Sequence, residues 1–179
     1  MNSMDFEKAR FNMVEQQVRP WDVLDARVLE TLNTIPREDF MPESYRNLPS
    51  VDTRITLPDD EKVCCTSTPT IKVRILTLLH VCADDRVLEI GTGTGYLSAC
   101  LASLARHVDS VEINENLSKQ AKKHLGKHNI ENVTLSTGDA TKGWHKEQSY
   151  YANALGASTS CAPNVYTNMT REGGRWVGL

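Results

Sequence analysis

Val87-Leu88-Glu89-Ile90-Gly91-Thr92-Gly93-Thr94-Gly95-Tyr96 is the stretch that decides the fold. A short apolar run ends near an acid and breaks into three glycines spaced two apart. A helical pattern follows at once in Leu97, Cys100, Leu101 and Leu104. Strand, glycine turn and helix let backbone approach a nucleotide-like ligand. A Cβ would block both the turn and the close approach. A glycine-rich turn that binds nothing has the same local pattern, so the stretch alone leaves both readings open.

The spacing narrows the ligand. A dinucleotide fingerprint reads G-x-G-x-x-G, but here the third glycine comes one residue early, at Gly95, and position 96 is Tyr. Glu89 stands two residues before the first glycine. An acid at a strand end suits a cation and repels a pyrophosphate. S-adenosylmethionine carries an α-ammonium and a sulfonium and no phosphate, so it fits better than a dinucleotide, and a dehydrogenase is the least favoured reading.

The chain beyond this stretch repeats the strand-helix alternation. Residues 107–113 read as a second strand, with Glu112 placed 21 positions past Gly91. An acid there can accept hydrogen bonds from two ribose hydroxyls. Residues 115–125 read as a helix closed by Gly126. Asn132 to Ser136 reads as a third strand, followed by Gly138-Asp139-Ala140. Asp139 reads equally well as a partner for an adenine amino group and as a turn-forming Asp. His124 and His128 stand four apart among Lys122, Lys123 and Lys127, a solvated basic helix end rather than a metal site. The β-α-β-α-β succession implies a parallel sheet with right-handed crossovers and a ligand across the carboxyl ends of its strands.

The first third is different. A helix is expected over 5–18, stopped by Pro20, then a second one capped by Asp22 with Val28, Leu29 and Leu32 inward. Pro36 and Pro42 bracket a short turn. Residues 46–66, with Pro49, Pro58, Asp59 and Asp60, read as one long loop. Ser67 or Thr68 can cap a helix that has Pro69 at its first position and Ile71, Ile75, Leu78, Leu79 and Cys82 on its apolar face.

Composition sets outer bounds. The 179 residues are 40% hydrophobic and 24% charged, with a net charge of -3. That suits one soluble domain and gives no attraction to nucleic acid or anionic membrane. No apolar run approaches the ~20 residues of a membrane span, and the first residues lack the apolar core of a secretory signal. Five cysteines without a CxxC point to a reduced, cytoplasmic setting. Cys82 and Cys100 read as small core residues, and the vicinal pair Cys64-Cys65 as free thiols.

With these residues assembled, the chain resembles the protein-L-isoaspartate O-methyltransferase family, within the class I S-adenosylmethionine-dependent methyltransferases. The resemblance runs from about residue 10 to the last residue. Its carriers are Met13-Val14-Glu15-Gln16-Gln17, Ile35-Pro36-Arg37-Glu38-Asp39-Phe40-Met41-Pro42, Ser67 with Pro69, and Val87 through Gly95. Gly138-Asp139-Ala140-Thr141-Lys142-Gly143-Trp144 and Glu172-Gly173-Gly174-Arg175 complete it. The Pro-Arg-Glu-x-Phe-x-Pro and Gly-Asp-x-x-x-Gly-Trp segments are more specific than the glycine motif.

The resemblance implies methyl transfer from S-adenosylmethionine to the free α-carboxyl of L-isoaspartyl residues in damaged proteins or peptides. It implies a doubly wound, Rossmann-like α/β fold with an N-terminal helical layer. The chain would be one domain, with helices and substrate loop over 1–66 and the cofactor part over 67–179. The site residues it implies are Ser67, touching the reacting carboxylate, and Glu89, Gly91, Thr92, Gly93, Gly95, Glu112, Ile113, Asp139 and Ala140 on the cofactor. No metal is implied.

Three departures stand out. A Gly-His-Gly-Gln-like segment is expected before Ser67, but the chain has Glu61-Lys62-Val63-Cys64-Cys65. The fourth strand, Tyr150-Tyr151-Ala152-Asn153-Ala154, loses an Asp and puts Asn153 at an apolar position, where an unpaired amide would cost ~1–3 kcal/mol. The chain stops in the fifth strand, Arg175 to Leu179, with further strands expected beyond it. A monomer is expected, or a dimer if another chain covers the open sheet edge. A methyltransferase with another substrate and a cofactor-binding remnant without turnover are the alternatives these departures motivate.

Overall fold

The computed structural model describes residues 5–57, 64–144, 150–156 and 164–178. The chain divides into two compact units, Met1–Thr77 and Leu78–Leu179. Pro58 to Val63, Cys161 and Leu179 lie outside the described residues, as do the side chains of Cys64 and Cys65.

In the first unit, helix α1 (Phe6–Met13) is capped by Asp5, whose carboxylate accepts the Lys8 N–H. The path continues as a π turn, Val14–Val18, and a 3-10 turn, Arg19–Trp21. Asp22 then takes a left-handed φ of 59°. It therefore ends the first helical path instead of capping the second, as was expected of it. Asp25 caps α2 (Ala26–Thr34), accepting the Arg27 N–H at 2.9 Å. Val28, Leu29 and Leu32 are buried as expected. A 3-10 turn, Arg37–Phe40, lies between Pro36 and Pro42.

The expected long loop holds two short strands. β1 (Ile55–Leu57) pairs antiparallel with β2 (Cys64–Thr66). Ile55 and Leu57 turn inward and Thr56 outward, but three residues of alternation are too few to read among prolines and acids. Helix α3 (Pro69–Leu79) begins at Pro69, with the Thr68 hydroxyl accepting the Ile71 N–H at 3.4 Å. Its buried residues include Val73, Ile75, Leu76 and Leu79, whereas Leu78 is 53% exposed. The helix ends at Leu79, where His80 takes a φ of 43°, so the expected stripe stops short of Cys82. Cys82 is consequently an exposed turn residue and not a core one, its N–H donating to Asp85 Oδ2 at 2.8 Å. Cys100 is buried as expected.

The second unit is the doubly wound α/β part. Its elements are β3 (Arg86–Ile90), α4 (Tyr96–Leu104), β4 (His107–Glu112), α5 (Glu115–Lys127), β5 (Val133–Thr137), β6 (Tyr150–Leu155), α6 (Asn164–Thr167) and β7 (Thr170–Gly178). The five long strands form one parallel sheet in the order β5-β4-β3-β6-β7. The chain runs outward from β3 to β5, then restarts on the other side with β6. The switch point, where such sheets bind ligands, lies between β3 and β6.

Packing follows from the pattern. Every residue of α4 except Ser103 is buried, and α5 buries Leu117, Ala121 and Leu125 on one stripe. Helix α5 runs through Gly126, which does not close it. Asn129 takes the left-handed turn at φ 54°. The Ile130 N–H then reaches Leu125 O at 3.1 Å, and the Asn129 N–H reaches Gly126 O at 3.2 Å. This is the Schellman pattern, with Asn where Gly is commoner. Asn153 is 1% exposed, but it is half satisfied: its Nδ2 donates to Thr170 Oγ1 at 2.7 Å. Only Oδ1 lacks a partner among the described residues.

Candidate active site

The loop after β3 is a strained turn held at every residue. Gly91, Gly93 and Gly95 have φ of 91°, 56° and 85°, a region that side chains disfavour. The Gly91 N–H donates to Val111 O at 2.8 Å, and the Gly95 N–H closes onto Thr92 O at 3.0 Å. A Cβ on Gly95 would stand 3.2 Å from that of Ala121, so the loop sits directly on α5. The Thr94 carbonyl accepts from His124 Nδ1 at 2.9 Å. A carbonyl only accepts, so this histidine carries its proton on Nδ1 and braces the loop.

Glu89 is fully buried. Alternation along β3 turns its carboxylate inward, where Oε2 accepts from Ser110 Oγ at 2.6 Å and from Ser98 Oγ. Ser110 is its register partner on β4. Thr92 Oγ1 lies 2.6 Å from Ser110 Oγ. The carboxyl of Glu89 thus lies behind the loop and not on the loop surface.

Glu112 stands at the carboxyl end of β4. Its Oε2 accepts the Gly93 N–H at 2.7 Å and its Oε1 the Asn114 N–H at 3.0 Å. Each carboxylate oxygen can accept a further hydrogen bond. Ile113, immediately after it, is 66% exposed, an apolar surface beside the acid. Asp139, past the end of β5, is exposed, and its Oδ1 accepts the Thr141 N–H at 2.9 Å. That backbone bond, aided by the Lys142 charge, holds its carboxyl below the usual range. Its turn-forming role is therefore present in the structure. Ala140 is buried, and its carbonyl accepts the Gly143 N–H at 2.9 Å and the Tyr166 hydroxyl at 3.1 Å. At the switch point, the Gly156 N–H donates to Ile90 O at 2.8 Å, and a Cβ there would stand 3.2 Å from the Gly91 carbonyl oxygen.

In the first unit, Ser67 is half-buried between β2 and α3. Its hydroxyl makes no hydrogen bond among the described residues, because Thr68 supplies the helix cap. Lys72, buried one turn into α3, donates from Nζ to Thr66 Oγ1 at 2.8 Å.

Among the described residues, no group of three or more His, Cys, Asp or Glu could hold a metal ion. No described helix is long and apolar enough to cross a membrane. Sequence reasoning missed Ser98, Ser110 and His124 as supports of the loop.

The residues fit an adenosyl group joined to an amino acid: glycines that leave backbone open, an acid with spare acceptors at β4, and an apolar side chain beside it. Together with the doubly wound sheet, they define a class I S-adenosylmethionine-dependent methyltransferase. The profile of the family described as Protein-L-isoaspartate(D-aspartate) O-methyltransferase matches residues 9–178. A Protein-L-isoaspartate O-methyltransferase 1 of Syntrophobacter fumaroxidans is 34% identical over 174 residues, 97% of this chain and 80% of that protein. The relative from Petrotoga mobilis is 34% identical over 175 residues, 97% of this chain and 81% of its own length. Among solved structures, a protein-L-isoaspartate O-methyltransferase superposes with a TM-score of 0.79 at 26% identity, covering 96% of this chain but only 54% of that one, so this chain spans about half its length. A Plasmodium falciparum protein solved in complex with S-adenosyl-L-homocysteine has the same fold, with a TM-score of 0.79 at 18% identity over 98% of this chain and 84% of its own. The chain belongs to the protein-L-isoaspartate O-methyltransferase family. The methyl donor of that family is S-adenosylmethionine.

Proposed function

We propose that this chain transfers a methyl group from S-adenosylmethionine to the α-carboxyl of L-isoaspartyl residues in damaged proteins and peptides, the first step of their repair. The observation that carries the reading is the family match across residues 9–178. Glu112, Ile113 and the glycine loop at the strand ends support it. In this reading Glu112 accepts the ribose hydroxyls and Ile113 covers one face of the base. Asp139 and Ala140 border the base, and Gly91, Thr92, Gly93 and Gly95 receive the amino-acid end. Glu89 supports the loop from behind. Residues 1–66 serve the substrate and residues 67–179 the cofactor. The partners are isoaspartyl proteins met in a cytoplasmic setting, and the working form is a monomer, or a dimer if the edge at β7 is covered.

When bound, S-adenosylmethionine supplies an electrophilic methyl group, which a carboxylate oxygen takes as the carbon–sulfur bond breaks and its electron pair stays on sulfur. A carboxylate is already a nucleophile at neutral pH, so the protein needs alignment and exclusion of water rather than a strong base. Ser67 is the proposed positioner, with a hydroxyl that the helix does not use.

Radiolabelled methyl transfer to an isoaspartyl peptide, beside its normal aspartyl twin, tests this function. Label on the isoaspartyl peptide alone is expected. S-adenosylhomocysteine binding with neither peptide labelled would reject isoaspartyl repair and favour a different substrate, the reading that Glu61-Lys62-Val63-Cys64-Cys65 motivates.

A further inference from the structure

Thr92, Ser110, Ser98 and Glu89 are all buried behind the glycine loop, and their hydrogen bonds have one direction. A serine hydroxyl has a single hydrogen to give. Ser110 spends its hydrogen on Glu89 Oε2. The 2.6 Å contact between Thr92 Oγ1 and Ser110 Oγ must therefore run from Thr92 to Ser110. The Thr92 hydroxyl is left with only acceptor capacity. An acceptor suits an ammonium and offers nothing to a phosphate oxygen.

We propose that Ser110 is a positioning residue for the amino-acid end of the cofactor: it ties the loop residue Thr92 to the buried carboxyl of Glu89 and so fixes the loop that receives the ligand. The inference rests on the cofactor site described under the proposed function. Glu112 serves the ribose there and Asp139 borders the base, which leaves the glycine loop to the amino-acid end. Ser110 lies outside the glycine motif, within β4, at the register position opposite Glu89. It acts through Thr92 and Glu89 and need not touch the ligand itself.

Calorimetry on the whole chain tests this with two ligands, S-adenosylhomocysteine and methylthioadenosine, which lacks the amino-acid part. Losing one hydrogen bond of the relay should weaken S-adenosylhomocysteine about tenfold in Ser110→Ala and methylthioadenosine less than about twofold. Ser110→Thr keeps a hydroxyl and should restore most of the affinity. Thr92→Val breaks the same relay from its other end without altering β4, so it carries the test if Ser110→Ala does not fold. Each single change severs one shared path, so the double variant should bind no worse than either single one. Equal weakening of both ligands, or of neither, would overturn the inference and leave Ser110 as sheet packing. A wild-type chain that binds neither ligand would bring down the cofactor site and this inference with it.

Discussion

Gly93 meets two demands at once. Its φ of 56° is left-handed, and its N–H donates to Glu112. A β-branched side chain at that φ costs ~1–3 kcal/mol and, in the proposed site, would fill the backbone approach to the ligand. Gly93→Val should therefore abolish S-adenosylhomocysteine binding by calorimetry, with a lowered Tm. Retained affinity would show that the loop does not approach the ligand. Tyr150 makes a different residue-scale case. Burial first, then the Asp109 charge and a hydrogen bond to it, push its hydroxyl up to about 12 from 10.0, with Arg86 opposing. Arg86 also pairs with Asp109 at 2.7 Å. The folded state thus holds this proton more tightly than the unfolded chain does. The associated stability is complete below pH 10 and is lost as pH rises toward 12, by less than about 3 kcal/mol. Urea unfolding at pH 8 and pH 11 should show a steeper loss in the wild type than in Tyr150→Phe; parallel losses would contradict the shift.

Helix α5 shows an element whose existence and face were legible while its end was not. The glycine at 126 looked like a stop, but it is exposed and helical, and a Cβ there would meet nothing within 4 Å. Asn129 and Ile130 make the cap instead. Gly126→Ala should accordingly raise stability by about 0.5–1 kcal/mol, as a helix-interior glycine loses more backbone entropy on folding than alanine. A loss of stability in chemical unfolding would return Gly126 to the cap. The same division holds elsewhere. Strand β3 was legible as a buried apolar run punctuated by turns, β4 and β5 as short segments of the strand-helix alternation that follows it, β6 through the family resemblance, and the place of Glu112 because an acid ends β4. Cys82 was misread as part of the α3 face because it continues the spacing past His80, where the helix has already ended. Asp22 was misread as a cap because nothing local distinguishes it from Asp25. The supports of the glycine loop were illegible because Ser98, Ser110 and His124 reach it only through sheet register and helix packing.

For the whole molecule, a net charge of -3 spread over 179 residues provides no general attraction for anionic partners, so recognition has to come from local sites. Two local functions are proposed, cofactor binding by the strand ends and carboxylate positioning by Ser67, and they are separable by experiment. A ligand that binds only the folded chain stabilises it by about 2.7 kcal/mol at a hundred times its Kd. S-adenosylhomocysteine should therefore raise the Tm and slow amide exchange at Gly93 and Asn114, whose N–H groups Glu112 holds. Ser67→Ala should keep both responses, because the serine hydroxyl supports neither the α3 cap nor any other described contact. It should lower methyl transfer to an isoaspartyl peptide roughly ten- to a hundredfold, what one hydrogen bond to a charged group contributes. Unchanged turnover in Ser67→Ala would remove the serine from the reaction, and a lost Tm response would make its role structural.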